Sequence, residues 1–106
     1  MKITALLTKG NILLNLGKFD KAISAVDEAI QLDPKNPQAW KEKALDSHVL
    51  GKYNESLAAY EKVIELEPEN ASAWIWKGKG DALKALGHQA EADAAYARAG
   101  ELEDKS

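Results

Sequence analysis

The sequence predicts an all-α fold of six helices, arranged as antiparallel helix hairpins that repeat along the chain and stack on one another. Three observations predict it. Gly17-Lys18-Phe19 recurs 34 residues later as Gly51-Lys52-Tyr53, and Gly87-His88-Gln89 follows after 36 more. Each of these glycines precedes a small residue at the fifth position (Ala22, Ser56, Ala92) and a larger one at the ninth (Val26, Tyr60, Tyr96). Apolar residues fall at helical spacing nearly everywhere, and no stretch alternates with period two. A fixed period of about 20–50 residues marks a stacked-repeat protein, whose function usually lies in a surface.

The helices follow in order. Leu6, Leu13 and Leu16 share one side of a first helix, with Gly10 between them. Ala22, Ile23, Val26, Ala29 and Ile30 form the stripe of a second. Gly17 lies between them, where a residue of positive φ ends a helix. Pro34 disfavours helix at Asp33 and stops the second helix. Asn36 then caps a third, with Pro37 at its first position. That helix runs over 37–50 and ends at Gly51. Helix four is expected over 53–66, stopped by Glu67-Pro68. Helix five is expected over 71–86, capped by Asn70 or Ser72, and helix six over 89–103. Connections of a few residues make successive helices antiparallel neighbours.

Bulk properties narrow the function. The chain has 106 residues, one ordinary domain by size, expected to span 1–106 as three units at about 3–36, 37–70 and 71–106. A net charge of -3 offers no basic field for nucleic acid, so RNA binding is disfavoured. The absence of cysteine removes disulfides, thiolate metal sites and a cysteine nucleophile. No run approaches the ~18 apolar residues of a membrane span. The stretch from Met1 to Leu7 is too short for a signal peptide, and a cytoplasmic location is the default expectation.

With these residues in hand, the chain resembles three tandem tetratricopeptide repeats over essentially its whole length. The second unit carries the pattern in Trp40, Ala44, Gly51, Tyr53, Ser56, Tyr60 and Pro68. The first carries it in Leu6, Gly10, Gly17, Phe19, Ala22, Val26 and Pro34, and the third in Trp76, Gly80, Gly87, Ala92 and Tyr96. Gly10, Ala44 and Gly80 let the first (A) helix of each unit approach the second (B) helix closely. The resemblance implies a right-handed α-solenoid whose A helices line a concave, peptide-binding face.

The repeat departs from regularity twice. The third unit has two extra residues, so Trp74-Ile75 reads as an insertion or an early extension of helix five. The last unit also loses its outward apolar residues. Helices two and four place Ile23, Ile30, Leu57 and Ile64 toward a following unit, where helix six has Asp93 and Gly100. Gln89 replaces the aromatic and Asp104 the proline. A terminal repeat needs a polar outer face, so helix six is expected to cap the array and the C-terminus to be its end.

A second stripe on each A helix forms the expected groove. It comprises Thr4, Leu7, Thr8, Asn11, Leu14 and Asn15, then Gln38, Lys41, Glu42, Leu45, His48 and Val49, then Trp74, Lys77, Gly78, Asp81, Lys84 and Ala85. Asn side chains both donate to and accept from a peptide backbone. Leu14, Leu45 and Val49 read first as packing between neighbouring A helices, and otherwise as apolar spots of the groove. Trp74 reads either as an exposed aromatic anchor or as a ring folded back on the end of helix four. One subgroup of the resembled family grips the terminal carboxylate of chaperone tails with Lys and Asn on the first A helix, Asn on the second, and Lys and Arg on the third. The equivalent residues here are Leu7, Asn11, Glu42, Trp74 and Gly78, of which only Asn11 matches. Glu42 has the wrong charge for an anionic ligand.

No enzyme chemistry stands out. His48 and His88 lie on different units without metal spacing, and Gly78-Lys79-Gly80 lies inside a helix rather than after a strand. No nucleophile, acid–base pair, cofactor or metal site is expected. The expected function is a protein–protein interaction scaffold binding a peptide or helix of another protein in the A-helix groove. The alternative is a structural module that self-associates as a homodimer, since the first helix, with Ile3, Leu7 and Leu14, has no preceding unit to cover it.

Overall fold

The computed structural model describes residues 2–104. Six α-helices and no strand are found among them: α1 Lys2–Asn15, α2 Phe19–Leu32, α3 Pro37–Val49, α4 Tyr53–Leu66, α5 Ala73–Ala85 and α6 Gln89–Asp104. The hairpin turns share one local construction. Gly17, Gly51 and Gly87 have φ of 76°, 74° and 86°, which other residues reach only with strain. Each glycine N–H donates back to the third residue before it, and the next residue donates across the turn, as in Lys18 N to Leu13 O at 2.8 Å and Lys52 N to Ser47 O at 2.9 Å. This paired capping satisfies the last carbonyls of each A helix.

The linkers between hairpins differ. Before α3, the Asn36 side chain accepts from Gln38 N at 2.9 Å, and Trp40 Nε1 donates to Pro34 O at 2.8 Å. Before α5, Asn70 N and Ala71 N both donate to Glu67 O, making an extra turn. Ala71 is buried there, and Ser72 occupies the N-cap without a side-chain hydrogen bond. The two extra residues of unit three therefore lie in the 67–72 linker. They are not an insertion at Trp74-Ile75, and α5 begins at Ala73 rather than at 71. Since α3 and α5 are each 13 residues long, Trp74 takes the helical position of Gln38 and Ile75 that of Ala39.

The core is a series of joints. Leu7, Val26 and Ala29 of unit one meet Ala39 of α3, with Ile3, Leu6 and Ile30 packed against them. Ala44, Ala59, Tyr60 and Val63 of unit two meet Ala71 and Ile75, flanked by Trp40, Ile64 and Trp76. Leu83, Ala92 and Ala95 close unit three, with Leu57, Trp76 and Tyr96 alongside. Each cluster thus joins one hairpin to the next A helix or completes the last. The face of α3 turned to unit one runs through Ala39 and Lys43, whose Nζ lies 2.6 Å from Asp27 Oδ1 on α2. Asp46 follows on the same stripe, at i+7 from Ala39.

The ends of the stack are unlike. On α6, Asp93 and Ala97 are exposed where α2 buries Ile23, and Gln89 Nε2 donates to Asp93 Oδ1 at 2.8 Å. On α1 and in the turn just after it, the positions equivalent to the inward stripe of α3 are open: Ile12 is 54% and Leu16 64% exposed. These two are the large apolar residues left uncovered at this end, since Ile3 and Leu7 pack into the first joint and Leu14 is half-buried.

Candidate binding groove on the A-helix face

The order of contacts produces a concave side. Each helix packs on the next one along the chain, and the A helices also touch one another, α1 with α3 and α3 with α5. Among the described residues, the B helices make no such contacts with each other. Helices that converge on one side and splay on the other bend the stack around the A-helix side.

The stripe residues divide by burial. Thr4, Thr8, Asn11 and Asn15 of α1 are exposed, whereas Leu7 is buried in the core. On α3, Gln38 is exposed, Leu45 is 39% exposed and Val49 57%, so the latter two are not consumed by packing between A helices. Lys41 is half-buried and pairs with Glu67, Nζ to Oε1 3.1 Å. Half-buried His48 sets its ring edge-on to Tyr53, centroids 5.9 Å apart, and its Nδ1 is buried without a partner. On α5, Lys77 and Lys84 are exposed and Asp81 is half-buried. Trp74 is 42% exposed, and its ring meets Tyr60, in the middle of α4 rather than at its end, edge to face with centroids 6.5 Å apart.

Gly78 explains how the α5 part of the floor is made. A Cβ there would overlap the Tyr60 ring and hydroxyl, so the absent side chain admits Tyr60 between α3 and α5. A Cβ on Gly80 would lie 2.7 Å from Tyr96 Cε1. The Tyr96 hydroxyl donates to Asp81 Oδ1 at 2.5 Å. This hydrogen bond above all, then burial, pushes the Tyr96 phenol up to about 12. Burial first, and the Asp81 charge second, push Tyr60 up to about 12 as well. Both phenols stay neutral at any physiological pH.

The α3 part of the floor is acidic. The Asn11 side chain hydrogen-bonds Glu42 across the α1–α3 contact and partly offsets the burial that raises the Glu42 carboxyl. One turn on, Asp46 is 1% exposed, and neither carboxylate oxygen has a hydrogen-bond partner. Burial, then the charge of Glu42, push it up to about 6. Sequence reasoning did not single out Asp46, Tyr60 or Tyr96 as parts of the floor. The available signal for Asp46 was a break in the repeat, since α1 and α5 carry Ile12 and Ala82 at its position. Among the described residues, no group of three or more His, Cys, Asp or Glu could hold a metal, and no helix is long and apolar enough to cross a membrane.

Comparison with known proteins agrees with this architecture. The tetratricopeptide repeat profile matches residues 3–36, and a second TPR repeat profile matches residues 48–79, together more than half of the chain. No curated protein sequence matches it. Among solved structures, the first TPR of Spaghetti (RPAP3) bound to HSP90 peptide SRMEEVD is 28% identical with a TM-score of 0.89, covering 99% of this chain and 82% of that one. MamA is 25% identical with a TM-score of 0.89, covering 98% of this chain, which spans only 60% of MamA. The N-terminal domain of stress-induced protein-1 (STI-1) from C. elegans is 25% identical with a TM-score of 0.82, covering 92% of this chain and 80% of that one. The chain belongs to the tetratricopeptide repeat family.

Proposed function

We propose that this chain is a protein-interaction scaffold that holds a segment of a partner protein in the groove lined by α1, α3 and α5. The observation that carries this reading is the mixture on the A-helix side. Leu45, Val49 and Trp74 remain exposed beside the amides of Asn11, Asn15 and Gln38. Apolar spots accept side chains, amides hold a peptide backbone, and a half-exposed tryptophan suits an interface anchor. The groove residues are taken to be Thr4, Thr8, Asn11, Asn15, Gln38, Lys41, Glu42, Leu45, His48, Trp74, Lys77, Asp81 and Lys84, with Leu7 beneath them, in one three-unit array. The family's scaffold role supports a non-catalytic reading.

A pull-down from the native host, repeated with Asn11, Leu45 and Trp74 changed together to Ala, tests the location. A partner held by the wild type and lost by a variant of unchanged melting profile supports the groove. Retention by that variant overturns it.

The HSP90 peptide seen with RPAP3 is not the expected ligand. Leu7 is buried, Gly78 offers no side chain, Trp74 offers no charge and Glu42 is anionic, so Asn11 stands alone of the carboxylate-gripping set. Fluorescence titration with SRMEEVD is expected to show no binding. Low-micromolar affinity that is lost on amidating the terminal carboxylate would show this expectation to be wrong.

A second reading, self-association, is favoured by one observation: Ile12 and Leu16 are exposed on a face that, in α3 and α5, packs on a preceding unit. Light scattering that returns an 11.5 kDa particle at all concentrations removes it.

A further inference from the structure

The geometry points to a cationic side chain, an arginine or lysine of the partner segment, as the group bound at the centre of the groove beside Glu42 and Asp46. This rests on the groove reading above and specifies what the groove selects.

Four observations carry it. First, the two carboxylates are one helical turn apart on α3, and each lies within electrostatic reach of the other. Second, Asp46 is buried with both oxygens unpartnered, an arrangement that costs free energy unless a counter-charge or donor is supplied. Third, lysines flank Glu42 in sequence but turn away from it. Lys41 pairs with Glu67 at 3.1 Å and Lys43 with Asp27 at 2.6 Å. Among the described residues, the side-chain partner of Glu42 is Asn11 of α1, which brings no charge. Fourth, the repeat does not require acids here. The positions of Glu42 are filled by Thr8 and Gly78 in the other units, and those of Asp46 by Ile12 and Ala82. The scaffold is therefore built without them, and their missing counter-charge is left for a ligand.

The surroundings favour a side chain over a free ion. Two carboxylates are too few for a metal site among the described residues. Leu45 and Val49 lie on the same side of α3 and remain exposed, where they would cover the aliphatic stem of a basic residue. Glu42 is the accessible carboxylate and takes the ion pair directly. Asp46 lies beneath it as a positioning residue, adding negative potential without reaching solvent.

The test is an NMR titration of the whole chain with acetylated, amidated Leu-Arg-Leu, its lysine analogue, and its citrulline analogue, which keeps the shape but not the charge. The expected result is millimolar binding of the arginine and lysine peptides, with shifts at Asn11, Glu42 and Asp46. The citrulline peptide should bind about tenfold more weakly, and Glu42→Gln should lose a similar factor. Asp93→Asn on the outer face of α6 should change nothing. Saturation with the arginine peptide should also lower the Asp46 titration midpoint, since a nearby cation favours the charged form. Equal binding of the citrulline peptide, full affinity in Glu42→Gln, or an unmoved Asp46 midpoint overturns the inference. Charge-independent shifts along α1, α3 and α5 would leave the groove standing while removing its preference. Shifts confined to the B-helix side would remove both.

Discussion

At the A-helix position that faces the preceding unit, α3 carries Asp46 and α5 carries Ala82. Both are buried, at 1% and 0% exposure. The joint between units two and three is closed with hydrocarbon: Ala82 stands beside Leu83, and Ile75 packs between Val63 and Tyr60. The joint between units one and two sets a carboxylate without partners into the same place. The helices superimpose in role, but one joint is built only for stability and the other gives some of it up. That the repeat does not need this carboxylate, and that it is costly where it lies, is the basis for the proposed cation binding.

The comparison can be broken from either side. Ile75→Ala should have the largest effect, costing about 3 kcal/mol by opening a cavity in a fully buried joint, measured by urea denaturation. Asp46→Ala should act in the opposite sense and stabilise the protein at pH 7 by about 2 kcal/mol, because it removes a desolvated charge. The pH dependence follows from the same group. Its folded pKa of about 6 lies above the ordinary value of 3.8, so the folded state binds more protons between them. The contribution of this group is therefore fully present below about pH 4 and is lost as pH rises through 6, a change of about 3 kcal/mol at ~1.4 kcal/mol per pKa unit. The buried fraction of Glu42 contributes in the same direction. In Asp46→Ala most of this slope should vanish, and an unchanged slope would show that Asp46 is not its source.

Two smaller perturbations sharpen the groove side. Gly78→Ala pushes a methyl group into the Tyr60 ring and should cost about 2 kcal/mol by overpacking, with a changed near-ultraviolet signal from Trp74 and Tyr60. Tyr96→Phe removes the donor to Asp81 and should cost about 1 kcal/mol. The loss should be small because Asp81 is half-buried and water can replace the hydroxyl.

The helices and turns were legible because they depend on neighbours in sequence. The 3.6-residue stripe of Ala22, Val26 and Ala29, the cap at Asn36 with Pro37 after it, and the glycines at 17, 51 and 87 each act within a few residues. The groove was legible only as a stripe. Lys41 and Glu42 are adjacent and look alike as exposed charges, yet Lys41 is turned to Glu67 and Glu42 to Asn11. The position of Trp74 was misread because two added residues can be absorbed by a linker or by a helix, and spacing does not distinguish these. The hydroxyl donor of Tyr96 to Asp81 and the notch at Gly78 are relations between helices, and the pattern along one helix does not contain them.

Sequence by itself determined that six helices form, where they stop, and that they pair as hairpins with small residues at Gly10, Ala44 and Gly80. These are local matters of propensity, capping and periodicity. Tertiary structure alone decided which side chains the stacking would bury, leaving Leu45 and Val49 open and closing over Asp46. The physical reason is that burial depends on the rotation and register of one helix against the next. Those are set by the sum of many weak contacts across the joints rather than by any residue's own preference.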